Sequence, residues 1–137
     1  MTQIRDVMSQ NPTTCEPSAS VADAARVMAS QDVGPVPVVE GDRLVGLVTD
    51  RDLVVRVLAE GRDPESTTIG EIASTDLVTV SPDAGLDEAL SLLARHQVRR
   101  LPVVEGEQLV GVVAQADVAR QGEDEETGQV VEQISEP

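Results

Sequence analysis

Few residues of this chain have the type and spacing for chemistry. One cysteine, Cys15, and one histidine, His96, stand among 137 residues. A single cysteine has no partner for a disulfide within the chain, and one histidine cannot build a metal cluster. Cys15 reads as a small buried apolar residue, with an intermolecular disulfide as the minor alternative, and His96 reads as an exposed helix-end residue. No catalytic dyad, metal set or P-loop is visible, which argues against an enzyme. What remains is a set of hydroxyls, acids and arginines. Asp52 and Asp117 read, on residue type, as helix-capping or surface acids, and Thr49 reads as an N-cap. The adjacent Arg99 and Arg100 either pair with the many carboxylates or supply the local cations that a negative protein needs to hold an anion.

Charge narrows the partners. The formal net charge is −15, and all ten basic residues are arginine. Affinity for nucleic acid comes mainly from clustered Lys and Arg, so nucleic acid is not an expected partner, and neither is an anionic membrane surface. Arginine without lysine fits a GC-rich genome or a high-salt cytoplasm, and the first is preferred. No run of 18 uninterrupted apolar residues is present, so no membrane span is expected. The first residues, MTQIRDVMSQNP, lack the regions of a signal peptide, and a soluble, cytoplasmic protein is expected. Phe, Tyr and Trp are absent. An aromatic ligand would therefore rest on aliphatic walls and hydrogen bonds, not on stacked rings.

The elements that position these residues come in two copies. Residues 4–53 align without a gap on residues 69–118, with 18 of 50 positions identical. Pro37-Val38-Val39-Glu40-Gly41 matches Pro102-Val103-Val104-Glu105-Gly106. Leu44-Val45-Gly46 matches Leu109-Val110-Gly111, and Asp52 matches Asp117. A repeat of this length sets the architecture.

Each copy reads the same way locally. Ser20 caps a helix whose apolar face is Val21, Ala24, Ala25, Val27 and Met28. In the second copy Asp83 is expected to cap the matching helix, with Leu86, Ala89, Leu90, Leu92 and Leu93 inward. A hairpin follows, Val36 to Val39 and Leu44 to Val48, turning at Glu40-Gly41-Asp42-Arg43. A second helix runs from about Asp50 to Glu60 with Leu53, Val54, Val57 and Leu58 at helical period, stopped by Gly61. A short helix near Ile69 to Ala73 mirrors Ile4 to Met8. Gly46 and Gly111 are expected where a backbone approaches closely, from a ligand or the neighbouring repeat. The expected organisation is one repeat over 1–60, a polar linker over 61–68, a second repeat over 69–120 and an acidic, disordered tail over 121–137. Val130, Val131 and Ile134 in that tail suit one weak amphipathic turn. The fold class is α+β. A hairpin with two helices cannot bury both faces alone, so two β-α-β-β-α repeats are expected to pack sheet to sheet with pseudo-twofold symmetry and two clefts where they meet.

The run Leu44-Val45-Gly46-Leu47-Val48-Thr49-Asp50-Arg51-Asp52, preceded by Val36-Pro37-Val38-Val39, resembles the signature of a CBS domain. His96-Gln97-Val98-Arg99-Arg100-Leu101-Pro102-Val103-Val104 is similar to the same family. Two such domains in tandem form a CBS pair, or Bateman module, and the resemblance covers roughly residues 1–120. The short length and the Thr49-Asp50-Arg51-Asp52 run resemble stand-alone actinobacterial CBS-pair proteins of the hypoxic response protein type.

The resemblance implies a site for an adenosyl ligand: AMP, ADP, ATP, S-adenosylmethionine or a related molecule, with no cofactor required. In the family, the Asp of Gly-x-x-Thr-x-x-Asp holds the ribose hydroxyls, and the Thr faces ribose or phosphate. A carboxylate can accept both protons of a cis-diol, and a helix N-terminus offers N–H groups to a phosphate. The first copy has the full motif in Gly46, Thr49 and Asp52. The second keeps Gly111 and Asp117 but has Ala114 for the Thr. The implied adenine walls are Thr14, Cys15, Val36 and Pro37 in the first copy and Thr79, Val80, Leu101 and Pro102 in the second. The implied phosphate partners are Arg99 and Arg100, with Arg51 behind them; Gly34 and Pro35 match the arginine pair in the first copy. One competent cleft and one weakened cleft are expected.

Two functions follow from different classes. The chain is expected to be a non-catalytic sensor of adenine nucleotides, a homodimer that signals occupancy to an unknown protein target. The alternative is a ligand-independent interaction module, related to stress, whose clefts are vestigial.

Overall fold

The computed structural model describes residues 2–121. The expected disordered tail, with Val130, Val131 and Ile134, lies outside the described residues beyond Gln121. The chain forms two compact units. Unit I comprises Asn11–Leu77 with Gly106–Leu109, and among the described residues unit II comprises 2–10, Val78–Glu105 and 110–121.

In unit I, α1 (Val21–Gln31) starts where Ser20 Oγ accepts the Asp23 N–H at 3.0 Å. That bond meets one of the donors a helix leaves unpaired at its start. Two more are met by the linker: Val21 N–H donates to the Thr67 carbonyl and Ala22 N–H to the Pro64 carbonyl. The linker is thus docked along the start of α1, and Thr67 is buried. The helix buries Val21, Ala24 and Met28, whereas Ala25 faces out.

Strands β1 (Val36–Glu40) and β2 (Arg43–Val48) pair antiparallel, with Val36 opposite Val48 and Pro37 opposite Leu47. Gly41 turns the hairpin at a φ of 65°, a left-handed conformation that glycine adopts freely. Gln108 pairs with Arg43, so the tip of the second hairpin belongs to unit I.

Beyond β2, α2 (Asp50–Asp52) continues as a π-helical stretch, Leu53–Leu58. The sequence period predicts an α-helix with Leu53, Val54, Val57 and Leu58 inward. The wider π turn buries Leu53 and Val57 but leaves Val54, Val55 and Leu58 exposed at 55%, 47% and 62%. Gly61 ends the helix at positive φ, as expected. The short α3 (Ile69–Ile72) places Ile69 and Ile72 in the core beside Val21, Val36, Val48 and Val57.

Unit II is built likewise. Helix α4 (Leu86–His96) buries Leu86, Ala89 and Leu93, with Leu90 and Leu92 partly buried against the core. Its N-cap is Gly85, not Asp83. Asp83 instead pairs with Arg5 while its own N–H donates to Ser81 Oγ, so its carboxylate is drawn away from the helix end. Strands β3 (Arg100–Glu105) and β4 (Gln108–Ala114) are neighbours, turning at Gly106. Residues 115–121 are helical.

The short segment before each repeat packs in the unit of the opposite repeat. Ile4, in a 3-10 turn over Ile4–Asp6, is fully buried in the core of unit II with Leu93, Leu101, Val103 and Val113. Its repeat mate Ile69 fills the matching place in unit I. The two glycines explain the fit. A Cβ at Gly46 would lie 3.2 Å from Ala73 Cβ and from the Ser74 carbonyl, and Leu47 and Ser74 exchange backbone hydrogen bonds. A Cβ at Gly111 would lie 2.7 Å from Met8 Sδ and 2.8 Å from the Ser9 carbonyl, beside the matching Ser9–Val112 bridge. The close backbone that these glycines admit is therefore protein.

Candidate functional site

In unit I four chain segments converge at the open end of the hairpin. Cys15 lies parallel to β1: its N–H donates to the Pro37 carbonyl at 3.1 Å, and its carbonyl accepts the Val39 N–H at 2.9 Å. Val36 sits opposite Val48, which directly precedes Thr49. The Asp50 N–H donates to the Gly34 carbonyl, fixing the helix start to the lead-in of β1. Thr14, Cys15, Val36, Pro37, Thr49 and Asp52 are thus brought to one edge of one unit.

Thr49 and Asp52 form a capping box. Thr49 Oγ1 accepts the Asp52 N–H at 3.1 Å, and Asp52 Oδ2 accepts the Thr49 N–H at 2.9 Å. Thr49 is therefore an N-cap, as its residue type suggests. The box leaves Asp52 Oδ1 outside the cap, where it faces Arg56 Nε at 3.7 Å. Burial pushes the Cys15 thiol up to about 11. Val36 and Pro37 are buried.

Unit II repeats the frame and alters the site. Val80 takes the place of Cys15, donating to the Pro102 carbonyl and accepting from Val104 N–H. The Gln115 N–H donates to the Arg99 carbonyl at 2.7 Å, matching the Asp50–Gly34 bond. Val80, Leu101 and Pro102 are buried, and Thr79 is half-buried. Ala114 has no hydroxyl with which to cap, and Asp117 pairs with Arg120 one turn along its helix.

Nine of the ten arginines divide cleanly, and the tenth, Arg95, donates to Ser91 Oγ at 3.5 Å. Arg5, Arg26, Arg43, Arg56, Arg62 and Arg120 all pair with carboxylates. Arg51, Arg99 and Arg100 are exposed, and among the described residues their side chains make no hydrogen bond or ion pair. Exposed and unpaired in so acidic a chain, these arginines are available to an anion. Arg51 stands in unit I, and Arg99 and Arg100 stand in unit II. His96 ends α4 and is exposed, as expected.

Arg56 was not marked by residue type or by the repeat. Its spacing of four residues from Asp52 is the signal that a sequence offers, since such pairs share a helix face. Among the described residues no cluster of three or more metal-ligating side chains occurs. No helix among them is long and apolar enough to cross a membrane.

A duplicated hairpin-and-helix frame with a capped Thr-x-x-Asp turn defines a tandem-repeat module of the CBS type. The CBS domain family profile matches residues 4–59 and 69–124, and the chain belongs to that family. It is 38% identical over its full length to Hypoxic response protein 1 of Mycobacterium tuberculosis, covering 96% of that protein. The solved structure of Hypoxic Response Protein I with two coordinated zinc ions superposes with a TM-score of 0.81 at 40% identity, over 88% of this chain and 99% of that one. CBSX2 in complex with AMP gives a TM-score of 0.80 at 26% identity, over 92% and 99% of the two chains. The CBS domain pair of MJ0100, solved with 5′-methylthioadenosine and S-adenosyl-L-methionine, gives 0.78 at 25% identity, over 91% and 98%.

Proposed function

We propose that this chain is a non-catalytic regulatory module that binds an adenosyl ligand (AMP, ADP, ATP or S-adenosylmethionine) and passes its occupancy to a protein target. The observation that carries this reading is the capping box of unit I. It fixes the Asp52 carboxylate at the helix start and leaves Oδ1 outside the cap to accept ribose hydroxyls. Thr14 lies beside Cys15 at the same edge, where its backbone groups suit an adenine rim. The unpaired Arg51 supplies positive charge for phosphate in unit I, and Arg99 and Arg100 supply it in unit II. The AMP and S-adenosyl-L-methionine complexes of similar CBS pairs support the ligand class.

A homodimer in the cytoplasm belongs to the same proposal. Val54, Val55 and Leu58 form an exposed apolar face for a second copy to cover, and among the described residues unit II offers no equal to it, with Ala119 and Arg120 at the matching places of Val54 and Val55. Leu58→Glu is expected to turn a dimer into a monomer in light scattering. A monomeric wild type over the whole concentration range would remove this part.

The alternative, a ligand-independent interaction module with vestigial clefts, is favoured by one observation: Thr49 and Asp52 already satisfy each other as a cap. A thermal-shift and calorimetry screen with AMP, ADP, ATP, S-adenosylmethionine and NADH separates the two. Sensing predicts stabilisation by at least one compound. Absence of binding below roughly millimolar concentration, about 4 kcal/mol of binding free energy, leaves the interaction module in its place.

A further inference from the structure

We propose that Arg56 is the positioning residue for Asp52, holding its carboxylate in the orientation that accepts a ribose diol; this rests on the reading of unit I as an adenosyl site. Arg56 is anchored at two points. Its Nη1 donates to the Ile72 carbonyl at 3.0 Å, at the end of α3. Ile72 is the last residue of α3, so its carbonyl has no partner inside the helix and this bond satisfies it. The second point is Nε, 3.7 Å from Asp52 Oδ1. That distance is long for a hydrogen bond but close enough for Coulomb attraction.

The two anchors give the arrangement its use. The guanidinium sets a fixed positive charge beside the carboxylate without filling the lone pairs of Oδ1. Oδ2 is held by the Thr49 N–H, so both oxygens have a defined place before any ligand arrives. Pre-ordering of this kind removes an entropic cost from binding. The Asp52 side chain is 19% exposed and that of Arg56 is 51% exposed, so the carboxylate is the sheltered member and the arginine closes its outer side. The matching position in unit II is Gln121, which brings no charge. There Asp117 is taken directly by Arg120, and no hydroxyl caps the turn. The route from Asp52 through Arg56 to Ile72 also ties the site to α3, whose C-cap residue, Ala73, lies against Gly46.

The test is calorimetry on the full chain with AMP and with 2′,3′-dideoxy-AMP, which lacks the diol. Arg56→Gln is expected to weaken AMP by about three- to fivefold, the range of a half-exposed ion pair. The dideoxy compound is expected to bind the variant and the wild type alike. Arg56→Lys, which restores charge without the fork, is expected to recover part of the AMP affinity. Equal weakening of both compounds would make Arg56 a purely structural residue and overturn the assignment. Unchanged or tighter AMP binding in Arg56→Gln would overturn it too. If Asp52→Ala binds AMP as the wild type does, the adenosyl reading of unit I itself fails. If Asp52→Ala loses AMP while Arg56→Gln keeps it, only the role of Arg56 fails.

Discussion

Units I and II share a frame almost bond for bond and differ where a ligand would be held. Both lay a segment parallel to the first strand of a hairpin, at Cys15 and at Val80. Both tie the following helix to the strand lead-in, at Gly34 and at Arg99. Both admit a neighbouring segment against a strand glycine. At the turn they part. Unit I has Thr49 and Asp52 locked in a reciprocal cap with Arg56 alongside, whereas unit II has Ala114 and an Asp117 committed to Arg120. Duplication keeps what packing requires. The polar positions, which packing does not hold, have diverged.

The largest effect that sharpens this contrast concerns Cys15, which has Val80 as its counterpart. Burial lifts its thiol from an ordinary 9.0 to about 11, so the reactive thiolate is about a hundredfold scarcer near pH 8 than in a free cysteine. Iodoacetamide labelling of the native chain is expected to be slower by that order and to accelerate as the pH approaches 11. AMP is expected to slow it further. Labelling at the rate of an unfolded control would remove Cys15 from the sheltered edge. Because the folded value is raised, the stabilisation present below pH 9 is expected to fade as the pH climbs toward 11.

Glycine substitution comes next. Gly111→Ala drives a methyl group into Met8 Sδ and the Ser9 carbonyl, and is expected to cost about 2 kcal/mol in chemical denaturation. Gly46→Ala meets its neighbours at 3.2 Å and is expected to cost roughly 1 kcal/mol or less. Equal losses would mean that the two packed segments adjust equally well. Ala114→Thr gives unit II the missing cap and is expected to add about 1 kcal/mol of stability, with Thr49→Ala losing a similar amount. If Ala114→Thr adds nothing, the backbone at 114–117 lacks the capping geometry of unit I.

Much of the frame is legible in the sequence, because the repeat and the apolar periods report burial directly. Ser20 as a cap, the Gly41 and Gly106 turns and the Gly61 stop all follow from local chemistry, and the structure has them. Asp83 shows where local chemistry fails: a better partner, Arg5, is 78 residues away in sequence. The stretch Leu53–Leu58 shows another limit. The same apolar residues suit an α or a π turn, and the choice decides whether Val54 and Leu58 face in or out. The placement of Ile4 in unit II and of Ile69 in unit I is equally hidden, since repeat matching shows that two segments are equivalent and not which copy each completes. Thr49, Asp52 and Asp117 are visible as a motif. The role of Arg56 needs the Ile72 carbonyl, which no sequence pattern places beside it.

Calorimetric titration with AMP, comparing Asp52→Ala with Asp117→Ala, tests the inequality of the two units most directly. Two charge-assisted hydrogen bonds to a diol are worth several kcal/mol, so Asp52→Ala is expected to lose at least about tenfold in affinity at the stronger site. Asp117→Ala is expected to leave that site within about twofold of the wild type. Two sites of equal affinity in the wild type, or equal losses in the two variants, would contradict the account.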